Sequence, residues 1–182
     1  ADPNNRTLRS EFLQTAQDIA TGFQSTAKEL ASMSDGIASA AQTSVGELNA
    51  NLDALERIND GLRKARAGST NEASLLDERD RLVDQISAQL PVTTSFDAKG
   101  TVTVRAASSG DMLVGNATVT HVAVTTAADG RLDFSVGGAA FDPGSGNLAG
   151  LGQAADHVAG QRAGLDAAAV QFAGQLNAAH QA

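Results

Sequence analysis

Cysteine, tyrosine and tryptophan are all missing from this 182-residue sequence. Without cysteine there is no disulfide, no thiol nucleophile and no thiolate zinc site. Phenylalanine alone supplies the aromatic content, 3% of the chain. That scarcity argues against a thick globular core and suits close-packed helices rich in alanine. Basic residues are also short: 13 Lys and Arg face 21 Asp and Glu, for a net charge of −8. Phosphate backbones and anionic membranes repel such a surface, so neither nucleic acid nor membrane is expected as a partner. No apolar run approaches the ~18 residues of a membrane span. The opening ADPNNRTLR is not a cleavable signal peptide. It has no initiator Met, so a fragment or processed chain is expected.

What is present is a helical period. Asp2 is a good N-cap and Pro3 a good first helical residue. Behind them Phe12, Ala16, Ile19, Phe23, Thr26, Leu30, Met33, Ile37 and Ala40 alternate by four and three. After a shift of one residue the seam resumes as Val45, Leu48, Leu52, Leu55, Asn59 and Leu62. Such spacing keeps one stripe facing a partner. The pattern predicts a helix over about 3–66, roughly 95 Å long at ~1.5 Å per residue. Gly36 and Gly46 are its expected weak points. Residues 67–71, AGSTN, read as a turn. A second helix over about 72–90 carries the stripe Leu75, Leu76, Leu82, Val83, Ile86 and Leu90, and Pro91 stops it.

From Pro91 the period changes to two. VTTSF, TVTVRA, DMLVGNATVTHVAVTT and RLDFSV read as β-branched strands, separated by DAKG, SSG and AADG. Four or five strands are expected. FDPGSGNLAGLG then reads as a Gly-rich connector. A last heptad helix follows: Leu151, Ala155, Val158, Arg162, Leu165, Ala169, Phe172, Leu176 and Ala179. The fold class is therefore α+β, mainly α: an elongated antiparallel helical bundle with a small antiparallel β domain inserted before the last helix. The expected division is a helical core over 1–90, a β unit over 91–142, a connector over 143–150 and a returning helix over 151–182. The returning helix is the expected partner of the Leu-rich seam at 45–62.

The most charged stretch is ASLLDERDRLVDQ, residues 73–85, with four carboxylates and two arginines. Asp77 and Arg81 are i,i+4 neighbours and Glu78 and Arg81 i,i+3, each pair worth a few tenths of a kcal/mol. Arg79 lies on the apolar stripe between Leu75, Leu82 and Ile86. There it is expected either to snorkel to the edge or to fork onto a carboxylate or carbonyl of a neighbouring helix. Acid–base catalysis by two carboxylates needs apposed acids in a cleft, and one helix face offers none. His121, His157 and His180 stand apart, without zinc-ligand spacing. Ser25-Thr26-Ala27-Lys28 matches S-x-x-K of penicillin-recognising serine enzymes but has no companion motif. The stretch Gly150 to Ala155 matches G-x-G-x-x-A but lacks a βαβ context. Asp97 to Gly100 and Asp129-Gly130 read as hairpin turns, not calcium loops. No catalytic, cofactor or metal residue is assigned. The residues singled out are structural: Leu48, Leu52, Leu55, Leu62, Leu75, Arg79, Leu82, Ile86, Leu165, Phe172 and Leu176.

Four stretches resemble one family. VGELNANLDALERINDGL, 45–62, is similar to V-x-x-(I/L)-N…IA-x-L-N-x-x-I. LLDERDRLVDQIS, 75–87, is similar to LLD-Q-RD-x-L, with Glu78 where Gln is usual. GDMLVG, 110–115, is similar to G-x-x-L-V-x-G, and LDAAAVQFAGQLNAAHQA, 165–182, resembles a helix ending in N-x-x-H-x-x-G. These belong to the bacterial flagellar hook-associated protein 1 family, whose members form the hook–filament junction. The resemblance covers nearly the whole chain. It implies a non-enzymatic subunit, secreted unfolded through the flagellar type III channel to the extracellular flagellum, without cofactor. It implies copies of itself in a ring as partners, together with hook protein and the second junction protein, and an export chaperone that binds outside these residues. It further implies that the family's terminal coiled-coil segments are absent here, so this stretch alone is expected to be monomeric. Flagellin or the second junction protein, a cytoplasmic signalling coiled coil, and an enzyme using the carboxylates of 77–84 are the competing readings.

Overall fold

A computed structural model describes residues 6–181. The N-cap expected at Asp2-Pro3 and the side chains of Ala179 and His180 lie outside the described residues. Helix α1 is Arg6–Lys64, α2 is Thr70–Gln89 and α3 is Gly146–Gln181. Between α2 and α3 lie β1 Val92–Phe96, β2 Val102–Ala106, β3 Met112–Gly115, β4 Thr118–Val119, β5 Val122–Thr126, β6 Leu132–Val136 and β7 Ala139–Phe141. The chain divides into two compact units, residues 37–156 and residues 1–36 with 157–182.

Helix α1 runs unbroken through Gly36 and Gly46. Each glycine costs only about 1 kcal/mol against alanine, and no proline falls between residues 4 and 90. Lys64 ends it, and Gly68 at φ +72° turns the chain. Ser69 caps α2 by accepting from the Glu72 N–H at 3.2 Å, while the Glu72 carboxylate accepts from the Gly68 N–H at 2.6 Å.

In the unit of residues 37–156 the Leu-rich seam is fully used. Leu48, Leu52, Leu55 and Leu62 are each 0% exposed. The first three share one core cluster with Leu82 and Ile86 of α2, with Leu90 just past its end, and with Val102, Val104, Leu113, Val114, Val122, Phe134 and Val136 of the strands. Burying each such side chain is worth about 1.5–3 kcal/mol. Here the structure corrects an expectation. The sheets and α2 fill the seam, and the returning helix adds only Leu148 to this cluster. A heptad stripe reports an apolar face, and a sheet satisfies that face as well as a helix does. Leu75 packs instead over Gly61, where an added Cβ would come within 3.2 Å of its Cδ1.

Among the described residues the strands number seven, not four or five, in two antiparallel sheets ordered β1-β2-β3-β4 and β5-β6-β7. DMLVGNATVTHVAVTT is three strands. Asn116 and Ala117 both take positive φ, 53° and 60°, and turn the chain between Gly115 and Thr118. The seventh strand, AAF, follows Gly137-Gly138, also both at positive φ. Hairpins β1–β2 and β5–β6 repeat each other at an offset of 30 residues. Val92 faces Ala106 and Val122 faces Val136; the Asp97 N–H donates to the Thr101 carbonyl and the Ala127 N–H to that of Arg131.

The connector is shorter than expected. Helix α3 begins at Gly146, five residues before Leu151, because Leu148 (0% exposed) and Ala149 (8%) anchor its first turn in the core.

In the unit of residues 1–36 and 157–182, Phe23 of α1 meets Phe172 of α3, ring centroids 5.9 Å apart. Leu165 and Leu176 are half-buried on the same helix. The α1 stripe is only half covered here. Ala16, Phe23 and Leu30 are partly buried, whereas Phe12 (47%), Ile19 (41%) and Met33 (54%) stay exposed. Each set recurs at seven-residue multiples, so one packed helix covers one row and leaves the other open.

Candidate functional site: asparagine clamps at a helix–sheet joint

Polar groups inside the 37–156 unit converge where α1 carries the sheets. Asn59 sits on the leucine seam and is 2% exposed. Its Nδ2 donates to the Val102 carbonyl at 2.8 Å, and its Oδ1 accepts from the Val102 N–H at 2.8 Å. Asn49 does the same to Val122, at 2.8 and 2.9 Å. A carboxamide carries one donor side and one acceptor side, as a peptide group does. Each asparagine thus pairs with a strand's first residue as a neighbouring strand would. Val102 opens β2 and Val122 opens β5, so each sheet has its own clamp. The clamps are ten residues apart on α1, about 15 Å. Beside the second, His121 Nε2 meets Asp53 Oδ1 at 2.9 Å.

Two further contacts complete the joint. Arg79, its side chain only 13% exposed, donates from Nη1 to the Gly100 carbonyl at 2.6 Å. Its Nε and Nη2 donate to Asp80 Oδ1, and its guanidinium lies 4.7 Å from the Phe96 ring centroid. The expected acceptor was a neighbouring helix. The observed one is the β1–β2 turn, because that hairpin folds over the apolar face of α2. Asp97 shapes this turn by accepting from the N–H groups of Lys99 and Thr101; a hydrogen bond from the Thr101 side chain, ahead of these backbone bonds, holds its carboxyl below the ordinary aspartate range. At the other end Asn147 donates to Ser44 Oγ and Gln89 Oε1, both at 2.9 Å, tying the first turn of α3 to α1 and to the end of α2.

The rest of the charged stretch is helix surface. Arg81 pairs with Glu78 rather than Asp77, and that hydrogen bond holds the Glu78 carboxyl below its ordinary range. Asp77, Asp80 and Asp84 are exposed. Ser25 and Lys28 are exposed on α1, and residues 150–155 lie inside α3 rather than at a strand-to-helix turn. Among the described residues no three His, Asp or Glu side chains converge as metal donors. No helix among them is long and apolar enough to cross a membrane.

The two asparagines were missed as functional residues by the sequence reading. Asn59 carried a signal: a carboxamide in a run of leucine seam positions must find buried partners. Asn49 carried none, being one residue off the seam.

Over residues 1–182 the chain matches the helical domain of the flagellar hook-associated protein FlgK. The chain belongs to this family. Among solved structures it is similar to the flagellar hook junction protein FlgK from Burkholderia pseudomallei, with a TM-score of 0.66 and 20% identity. The match takes in 82% of this chain and 29% of that one. The chain therefore spans under a third of that protein's length, and the likeness is one of fold: three helices with a small antiparallel β domain before the last. No curated protein matches it. In this chain the asparagine clamps tie the first residues of β2 and β5 to α1.

Proposed function

We propose that this chain is part of a non-catalytic structural subunit that joins hook to filament in the bacterial flagellum. The observation that carries the reading is membership of the FlgK helical-domain family along the whole chain. Geometry adds a mechanical reason. A subunit that passes torque must not let its parts swing. Here two carboxamide clamps from α1, an arginine fork from α2 and a shared apolar core hold the sheets to these two helices. The open row of Phe12, Ile19 and Met33 suits packing against further helical segments of an assembly. In this reading the partners are copies of itself in a ring, the hook protein and the second junction protein, with an export chaperone binding outside these residues. Its place is the extracellular flagellum, reached by type III export. Flagellin and a signalling coiled coil are less well supported, the latter because the core is shared between helices and strands.

Deleting the gene tests this. The expected phenotype is hooks without filaments by electron microscopy, with flagellin shed into the medium. Normal filaments and swimming in the deletion strain would refute it.

A further inference from the structure

A cleft of about 760 Å³ opens between β6–β7 and the first turns of α3. Its apolar walls include Phe134, Phe141, Pro143 and Ala149. Gly152 keeps it open on the helix side, since a Cβ there would lie 3.4 Å from the Phe134 ring. Its rim is acidic. Asp133, Asp142 and Asp156 line it, and Arg131 reaches Asp156 at 3.2 Å and Asp129 at 3.7 Å. Four carboxylates against one arginine leave a local charge of −3. An apolar slot with such a rim accepts a cation carried on small side chains.

The same chain carries that shape. Arg63, Lys64 and Arg66 form its densest run of positive charge, at the α1–α2 turn. Arg63 and Lys64 pair with Glu56 and Asp60. Arg66 is exposed and, among the described residues, has no ion-pair partner. Ala65, Ala67 and Gly68 flank it, narrow enough to enter a slot. Cleft and turn belong to the same 37–156 unit but stand at opposite ends of it. Asn147, at the start of α3, bonds Ser44, whereas the turn follows Lys64. Twenty helical residues separate these points, about 30 Å. One copy cannot fill its own cleft.

We infer that the α1–α2 turn of one copy seats Arg66 in the acidic cleft of the next. Two different patches on one subunit make a heterologous contact, which closes into a ring or winds into a helix. The inference rests on the self-assembly in the proposed function and names the surfaces that serve it.

These 182 residues hold no cysteine, and any cysteine elsewhere in the full-length protein is replaced by serine before the test. Gln153→Cys in the cleft and Ala67→Cys in the turn are placed together in the full-length protein, and isolated flagella are oxidised. The expected result is a ladder of dimers and higher species that neither single variant gives. Protein present in flagella without a ladder overturns the cleft contact and leaves the junction role standing. Wild-type protein missing from isolated flagella overturns both. A charge swap gives an independent check. Arg66→Glu is expected to cut attached filaments at least ~10-fold through like-charge contact, and Asp133→Arg to restore them in the double variant. Unchanged filament counts in Arg66→Glu would equally overturn the contact.

Discussion

Asn59→Ala is expected to lower the unfolding free energy by about 2–4 kcal/mol. The reason is the accounting of polar groups rather than lost volume. Asn59 is 2% exposed, and both its polar atoms serve the backbone of Val102. Truncation leaves a buried N–H and a buried carbonyl without partners, each costing about 1–3 kcal/mol. Asn59→Asp keeps the acceptor but loses the donor and buries a charge, so it gains little over alanine. Asn49→Ala, at the less buried clamp, is expected to cost about 1–2 kcal/mol. Urea unfolding followed by circular dichroism checks the series. A change in Asn59→Ala within about 0.5 kcal/mol of zero, the range of an ordinary surface substitution, would mean that the clamp does not hold the sheet.

Gly146→Ala should be comparably damaging, and its neighbour Gly150→Ala should act in the opposite direction. Gly146 has φ +82°, and a Cβ there would stand 2.7 Å from the Gln89 carbonyl oxygen. The left-handed backbone costs an alanine about 1–2 kcal/mol. The contact is with main chain at the end of α2, where nothing flexible can give way. The total expected loss is about 3 kcal/mol or more. Gly150 lies inside α3 with nothing within 4 Å of an added Cβ, so alanine there is expected to stabilise by about 0.5–1 kcal/mol. Thermal unfolding of the two variants reads the contrast. Two variants of equal stability would contradict the close approach of Gly146 to α2.

Helices were legible because their signal is local. The heptad stripe, Ser69 and Pro91 place α1 and α2 within a few residues, and the switch from period 3.6 to 2 places the strands. Tertiary choices were not legible. Val45 to Leu62 reads as a seam for the last helix, yet strands and α2 took it, because an apolar face does not specify what covers it. DMLVGNATVTHVAVTT reads without its turn at Asn116-Ala117, since an asparagine and an alanine together at positive φ are rare and only the surrounding sheet holds Ala117 there. The last helix starts early for a similar reason: Gly146 and Asn147 look like loop residues until Gln89 and Ser44 are beside them. The joint itself was half visible. Arg79 stood out as a charge on an apolar stripe, but its acceptor, a turn carbonyl 21 residues away, follows only from the folding of the hairpin over α2.

The most direct test of the central claim is where the protein sits. Gold-labelled antibody against it, applied to flagella still attached to their hooks, is predicted to mark a short band at the boundary between hook and filament. Label spread along the filament would make the chain a filament subunit, and label confined to the cell interior would take it out of the flagellar axis; either result would contradict the junction reading.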